Sequence, residues 1–584
     1  MSPENLIEVS FEVANKVGGI YQVLKSKSGK MQDFYGENYL AVGFYNKESA
    51  REDFIKTEDH EFEQIFNKLK EETGAKYHYG VWNVSNKPRC ILVDSQGLNK
   101  DVDEIKTFLW EEFQIDSLES GREFEEPLEW CYAVGKLIKK LEEHMGGHTV
   151  VQLHEWLSGA AMHYFESPVV FTTHATVLGR ALSSSDFDLQ SAVNEGKVDQ
   201  ELAEENGVKP KHQVEKVSAS EADIFTTVSE VTGREAKAVL GVEPDKILPN
   251  GFNVEEYPSL EELSYNHTEK KQDVKKFLRA YFEPYYDVNL QDDPRILFTS
   301  GRYEFHNKGI DLLIDALGDL NERDGEEFFV FFFVPADVKG QKREVLENIS
   351  IFEEIEQQVD SLIPQLREKI LSSITSGETP SENIDEIIQT QAKLDSLKSN
   401  FHSQKEENPP LCAYDLNYEG DDILDALERN GLTNSLSDRV KVIFYPSYLS
   451  VGDKLLNLDY QDAVVASSAG IFPSYYEPWG YTPVETAANG ALSITTDMAG
   501  FGQFLEEKTE ANEREGINIL ERKNNQYNES KDDLAEMIDE IVGLSKTEIT
   551  ERKHDARKLA QLTSWQKLGE NYMEAHQKAV KKQK

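Results

Sequence analysis

The chain has 584 residues, 39% of them hydrophobic and 10% aromatic, which is too long for one ordinary core and apolar enough to fill two. Its 107 acids against 62 bases give a formal charge of −45; such a surface repels nucleic acid and anionic membrane, leaves a neutral polysaccharide unpenalised, and admits a phosphorylated substrate only where Lys and Arg gather locally. No apolar run approaches the roughly 20 residues of a membrane helix, the first residues lack a signal peptide's basic and apolar regions, and three scattered cysteines, Cys90, Cys131 and Cys412, exclude a disulfide framework or a CxxC metal site, so a cytoplasmic protein is expected.

In chain order, Leu6–Val9, Tyr39–Val42, Ile91–Val93, Val150–Leu153, Val169–Thr173 and Ile224–Val228 are short apolar runs that read as buried strands. Helix-length amphipathic segments separate them, which predicts βαβ units and a parallel sheet. At the first βα turn, Lys16 and the pair Gly18–Gly19 offer a backbone that a phosphate can approach closely. His154-Glu-Trp156 and the segment Thr172–Arg180, which contains His174, follow strands. Two histidines at adjacent strand ends with Arg180 nearby read as a cleft lining.

The charged stretch from Tyr265 to Asp293 separates this half from a second, in which Ile296–Ser300, Phe328–Val334, Val440–Tyr445, Gly470–Pro473 and Leu492–Thr495 repeat the scheme. The expected fold is therefore α/β, two doubly wound Rossmann-like domains in series. In the loop after the first of these strands, Arg302 and Lys308 are two bases placed to neutralise a leaving diphosphate. Lys342 to Gln404 gives no strand signal. Ile349, Phe352, Ile355, Val359, Leu362 and Leu366 recur at helical spacing, Ser376–Ser381 breaks the pattern, and Ile384, Ile387, Ile388 and Leu394 resume it. An inserted helical hairpin used for assembly into a homo-dimer or tetramer is expected.

The most informative string is Phe472-Pro-Ser-Tyr-Tyr-Glu-Pro-Trp-Gly-Tyr-Thr-Pro-Val-Glu485. It leaves a strand, passes an aromatic loop and enters a helix, with Thr482, Pro483 and Glu485 fitting N-cap, N1 and N3. A helix start at a strand's C-terminal end is where doubly wound folds receive phosphates. Glu477 has no part in that cap and lies among rings on which sugars pack.

These strings, with EVANKVGGIYQVL, QLHEW, TTHATVLGR, LPNGFNV, GRYEFHNKG and DRVKVIFYPSYLS, make the chain resemble glycogen synthases of the animal and fungal type, retaining GT-B glycosyltransferases, from Glu8 to beyond Trp565. The resemblance implies transfer of glucose from UDP-glucose to the 4-hydroxyl of an α-1,4-glucan with retention, without metal, pyridoxal phosphate or other cofactor. It implies a nucleotide-sugar domain at 266–565, holding the 342–404 insertion, and an acceptor-side domain at 1–265 on which 566–584 packs back. It implies that Arg302 and Lys308 grip the diphosphate with Lys16 assisting, and that Glu477 holds the glucose and Glu485 the ribose. The N–H groups of Gly480, Tyr481 and Thr482 would meet the distal phosphate. His174 would lie beside the sugar, with Arg180 lining the cleft, and Tyr448 and Tyr460 would stack on uracil.

Members of that family are switched on by glucose 6-phosphate through an arginine-rich helix preceding a C-terminal tryptophan. Here the segment is Glu551–Lys558, leading to Trp565. Arg552, Lys553 and Arg557 share a helical stripe, but Glu551 and Asp555 lie beside it and the chain lacks Ser-rich tails, so activity independent of glucose 6-phosphate is expected. Competing readings are a transferase using ADP-glucose, a metal-dependent Asp-x-Asp transferase at Asp101-Val-Asp103 or Asp186-Phe-Asp188, a pyridoxal-phosphate phosphorylase, and a non-catalytic glucan-binding protein. Neither Asp-x-Asp pair ends an apolar strand and no motif resembles the pyridoxal-phosphate site. Pure binding would not need a diphosphate site.

Overall fold

The computed structural model describes residues 3–583 apart from 118–119, 186, 197, 287–289, 378–391 and 403–406. The first half supplies β1 (Asn5–Val9), β2 (Tyr39–Phe44), β3 (Phe54–Lys56), β4 (Lys76–Trp82), β5 (Arg89–Asp94), β6 (Thr149–His154), β7 (Val169–Thr173), β8 (Ile224–Thr227) and β9 (Lys246–Ile247). They form one sheet in the order β3-β4-β5-β2-β1-β6-β7-β8-β9, parallel except where β4 pairs antiparallel with β3 and β5. Every expected apolar run of this half is a strand. The hairpin β3–β4 and the two-residue β9 go beyond that reading. β4, KYHYGVW, is only partly buried, so it lacks the continuous apolar run of a strand covered on both faces.

The second half supplies β10 (Arg295–Ser300), β11 (Phe328–Phe333), β12 (Val338–Gln341), β13 (Tyr414–Leu416), β14 (Val440–Phe444), β15 (Ala469–Ile471), β16 (Leu492–Thr496) and β17 (Ile517–Leu520). Six of these make an all-parallel sheet, β14-β11-β10-β15-β16-β17. β11, FFVFFF, is buried at every position, as an inner parallel strand must be. Between β12 and β13, which pair antiparallel, the described residues form the helices Arg343–Ser376 and Ala392–Phe401, packed on each other. Gly377, left-handed at φ 77°, ends the first. Ile384, Ile387 and Ile388 lie outside the described residues. Ile349, Phe352 and Leu362 are buried, whereas Val359, Ile363, Leu371 and Ile374 are exposed.

Each sheet has its own core. The helix Leu260–Phe282 runs through the expected boundary and gives Val274, Phe277 and Phe282 to the second core. A third apolar cluster joins the halves: Val228, Phe252 and Val254 meet Trp479, Val484, Phe501 and Leu559. The last helix, Trp565–Lys582, returns to the first sheet, where Trp565, Tyr572 and Ala579 pack with Val23, Val150 and Val170.

Candidate active site

After β10 the chain turns before the helix Ile310–Asn321. Gly309 in that turn takes φ 67°, and a Cβ there would lie 2.0 Å from the Pro473 carbonyl oxygen, so only glycine lets this turn meet the loop after β15. The approach brings Lys308 Nζ within 2.5 Å of Glu477 Oε2, with both side chains mostly buried. Ser300, Ser474, Thr482 and Thr495 line a small cavity around the pair. Arg302 does not converge with Lys308. It is exposed and pairs with Glu304 at 3.0 Å, a local partner that the sequence spacing did not reveal.

The helix expected from Thr482 runs instead over Tyr481–Ala488, with Gly480 as N-cap at φ 102° and no side chain capping it. The capping-box reading is thus overturned: the left-handed glycine sets the helix start, so Thr482 and Glu485 each fall two residues too deep to cap. The first N–H groups of Tyr481 and Thr482 are left to whatever approaches. Among the described residues the Glu485 carboxyl has no hydrogen-bond or ion-pair partner, and burial pushes it up to about 7. Tyr460 lies near that carboxyl, its hydroxyl 2.9 Å from Ser300 Oγ. Tyr481 donates to the Gly251 carbonyl at 3.1 Å. Tyr448 is 82% exposed.

On the opposite sheet, pairing of β6 with β7 brings the two histidines together. His154 Nδ1 is 3.0 Å from His174 Nε2, and His154 Nε2 is 3.0 Å from Glu8 Oε1. Glu8 pairs with Lys27 and accepts from the Tyr39 hydroxyl at 2.6 Å, and Glu8 and Lys27 are wholly buried. Burial alone would raise the Glu8 carboxyl, but Lys27 and His154 overcome it and hold it well below the usual range. Burial and the nearby positive charges push His174 well below its ordinary value, so it is neutral. The Glu8 carboxylate requires a proton on His154 Nε2; neutral His154 then accepts at Nδ1, which places the His174 proton on Nε2.

The turn after β7 is held by acids that no local pattern announces among so many. The N–H groups of His174 and Ala175 donate to Glu155, that of Thr176 to Glu235 and that of Val177 to Glu215, at 2.8–3.3 Å. Glu155, with φ 66°, is pushed up to about 7, foremost by burial. Arg180 faces this group: burial opposes its charge, but Glu155, Glu215 and Glu235 more than offset that.

At the first βα turn, where a phosphate is expected beside Lys16, the protein supplies an acceptor of its own. Glu12 Oε2 accepts from the N–H groups of Gly18 and Tyr21 at 2.9 and 2.8 Å. Lys16 and Gly19 are exposed. The Asp-x-Asp candidates serve as caps: Asp101 accepts from Asp103 N and Asp188 from Ser191 N, while Asp186 lies outside the described residues. Arg552, Lys553 and Arg557 do not converge either. Arg552 pairs with Glu540 at 2.7 Å. Lys553 donates to the Ser467 carbonyl at 3.0 Å and Arg557 to that of Ala488 at 2.6 Å. Their stripe faces the interior, because Ala556 between them packs in the core.

Two Rossmann-like sheets whose strand ends and loops meet, with an uncapped helix start and a Lys–Glu pair beside it, define a GT-B glycosyltransferase. The fold agrees with the catalytic domain of Starch Synthase IV from Arabidopsis thaliana, bound in its structure to ADP and acarbose: TM-score 0.50, 13% identity, 99% of this chain and 100% of that one. The glycogen synthase family model matches residues 8–584. Glycogen [starch] synthase isoform 1 of Saccharomyces cerevisiae is 33% identical, over 99% of this chain and 86% of that protein. The liver glycogen [starch] synthase of Homo sapiens is 31% identical, over 98% and 82%. The chain belongs to the glycogen synthase family and is a hexosyltransferase.

Proposed function

We propose that the enzyme transfers glucose from UDP-glucose to the non-reducing 4-hydroxyl of an α-1,4-glucan such as glycogen, retaining the α configuration. The observation that carries this reading is the Lys308–Glu477 pair in a cavity beside the uncapped start of the helix Tyr481–Ala488. An arriving diphosphate exchanges places with Glu477 at Lys308 and takes the free N–H groups, and Arg302 swings from Glu304 to add a second charge. Glu477, released, accepts from the sugar hydroxyls, and Glu485 accepts from the ribose beside Tyr460. Charge on the leaving phosphate is met by these groups, so the reaction as proposed draws on no metal and no pyridoxal phosphate. The phosphate takes the proton of the incoming 4-hydroxyl on the same face as it leaves. Neutral His174, its Nδ1 unprotonated, is the acceptor beside the sugar.

In this reading residues 266–565 hold the nucleotide sugar and residues 1–265, with the returning last helix, present the glucan. A cytoplasmic setting goes with three free, buried cysteines; no helix among the described residues is long and apolar enough to cross a membrane. The exposed Val359, Ile363, Leu371 and Ile374 of the long helix support assembly with other copies. Ile363→Glu with Ile374→Glu is expected to convert a dimer or tetramer to monomer in light scattering, whereas Leu362, already buried within the chain, would report folding rather than assembly. The deciding experiment for the function is glucosyl transfer to glycogen from UDP- and ADP-glucose in parallel: turnover with UDP-glucose is expected to dominate. Dominant turnover with ADP-glucose would overturn the donor assignment, and none with either the transfer itself.

A further inference from the structure

The sequence neighbours of the Lys308–Glu477 pair are the residues that touch the opposite domain. Tyr476, which precedes Glu477, packs its ring against the core of the first sheet, and its hydroxyl donates to Glu235 Oε1 at 3.2 Å. Pro478, which follows Glu477, has its carbonyl bonded by Ser229 Oγ at 2.6 Å. Asn307, which precedes Lys308, is buried. Its carbonyl accepts the N–H groups of Tyr475 and Tyr476 at 2.9 and 3.2 Å, and its side-chain amide reaches Ser183 Oγ at 3.4 Å.

Ser229 and Glu235 belong to one element. Ser229 is the N-cap of the helix Glu230–Leu240, which carries Glu235. That carboxylate also accepts from Thr176 Oγ1 at 2.7 Å and from Thr176 N, so it is fixed to the turn that holds His174. One first-domain helix therefore grips the loop on both sides of Glu477, and one of the two grips passes through a buried acid to the His174 turn. Neither bond is needed to hold either core together, since each domain has its own. Both bonds cross from one domain to the other.

We propose that Tyr476 is a positioning residue, a latch that engages Glu235 on closure and sets Glu477 against the His174 turn. This rests on the proposed function for the identity of the reacting groups. When the diphosphate draws Lys308 away, Glu477 loses its ion-pair partner and its carboxylate must turn toward the sugar. The backbone on either side is held by the other domain during that exchange, so the side chain moves without the loop moving. A shut loop also excludes water, which competes with the glucan for the donor. The hydroxyl of Tyr476 thus acts on the lifetime and register of the closed state, not on affinity for the nucleotide.

Tyr476→Phe removes the hydroxyl and keeps the ring that packs in the first core. The expected result is a fall in kcat for transfer of about tenfold, the scale of one buried hydrogen bond. UDP affinity by calorimetry should stay within about twofold, and free glucose released per glucose transferred should rise several-fold. Glu235→Gln keeps an acceptor oxygen for the tyrosine and is expected to retain most of kcat and a low hydrolysis ratio. Should Tyr476→Phe not fold, Ser229→Ala removes the other grip on the same loop and carries the same expectation. An unchanged kcat and unchanged hydrolysis ratio in a wild-type-active background would overturn the latch. So would a loss of UDP affinity that matches the loss of kcat, which would assign Tyr476 to the donor site. Absence of transfer in the wild-type chain would instead overturn the function on which the latch rests.

Discussion

The helices Gly19–Tyr35 and Tyr481–Ala488 both begin at the C-terminal end of a parallel strand, behind a glycine and without an N-cap side chain. Their fates are opposite. At the first, the carboxylate of Glu12 reaches forward six and nine residues and takes the N–H groups of Gly18 and Tyr21. At the second no described side chain caps the helix, the Glu485 carboxyl deeper in it has no partner among the described residues, and Lys308 pairs with Glu477. A phosphate site is made by donors left unspent, not by a glycine at a helix start. The same division holds for the whole cleft. The first sheet's strand ends are closed on themselves through Glu8, Lys27, His154 and the acids around Arg180, a rigid wall already neutralised. The second sheet's strand ends carry the charge that a ligand can claim.

Five changes test that division, and the largest effect is expected on the open side. Glu477→Gln should leave folding intact and lower transfer by at least ~10²-fold, the scale for losing one key electrostatic group; near-normal turnover in a folded variant would end the assignment. Lys308→Ala should weaken UDP binding by ~1.5–3 kcal/mol, the worth of a charge-assisted contact. Arg302→Ala, starting from an exposed side chain paired with Glu304, should cost less. Calorimetry on the pair reads both, and equal losses would mean that Arg302 is already committed to the site.

The two helix-start acids sharpen the comparison further. Glu12→Gln should lower the melting temperature, by the ~1 kcal/mol of a lost helix cap, while UDP affinity stays unchanged. Glu485→Gln should behave in the reverse manner. The folded Glu485 carboxyl titrates at about 7, above its unfolded value. It therefore favours the fold at low pH, and this contribution is lost as pH rises through about 7. The variant should be the more stable one above pH 7, and UDP affinity, which in wild type should rise with pH as the carboxylate forms, should flatten. A wild-type affinity flat between pH 6 and 8 would remove Glu485 from the ribose. The smallest effect is expected from glucose 6-phosphate. Lys553 and Arg557 already bond backbone carbonyls, so millimolar glucose 6-phosphate should change the initial rate by less than about twofold, because a phosphate would have to unmake buried contacts worth ~1 kcal/mol each. A several-fold rise, abolished by Arg552→Ala with Arg557→Ala, would show that the stripe can turn outward.

The sequence by itself determined the two parallel sheets, because a strand covered on both faces must be an apolar run, as in β11 and β7. It determined the long inserted helix, whose period and terminal glycine are local properties. It also placed Glu477 and Lys308 at strand ends, and the string around Glu477 was specific enough to carry the family. Tertiary structure alone decided which donors are spent. Glu12 on the Gly18 turn, Arg302 on Glu304, the inward turn of Lys553 and Arg557, and Gly480 rather than Thr482 as N-cap each depend on what else lies within hydrogen-bond reach. Glu215 and Glu235 are ordinary helix acids in sequence. They become the frame of the His174 turn only because β7 and the following helices bring backbone N–H groups from a distant segment against them. Hydrophobic pattern is written along the chain, whereas the pairing of charges is settled by which segments fold against each other, and in a chain of net charge −45 there are too many acids for spacing to single out the ones that matter.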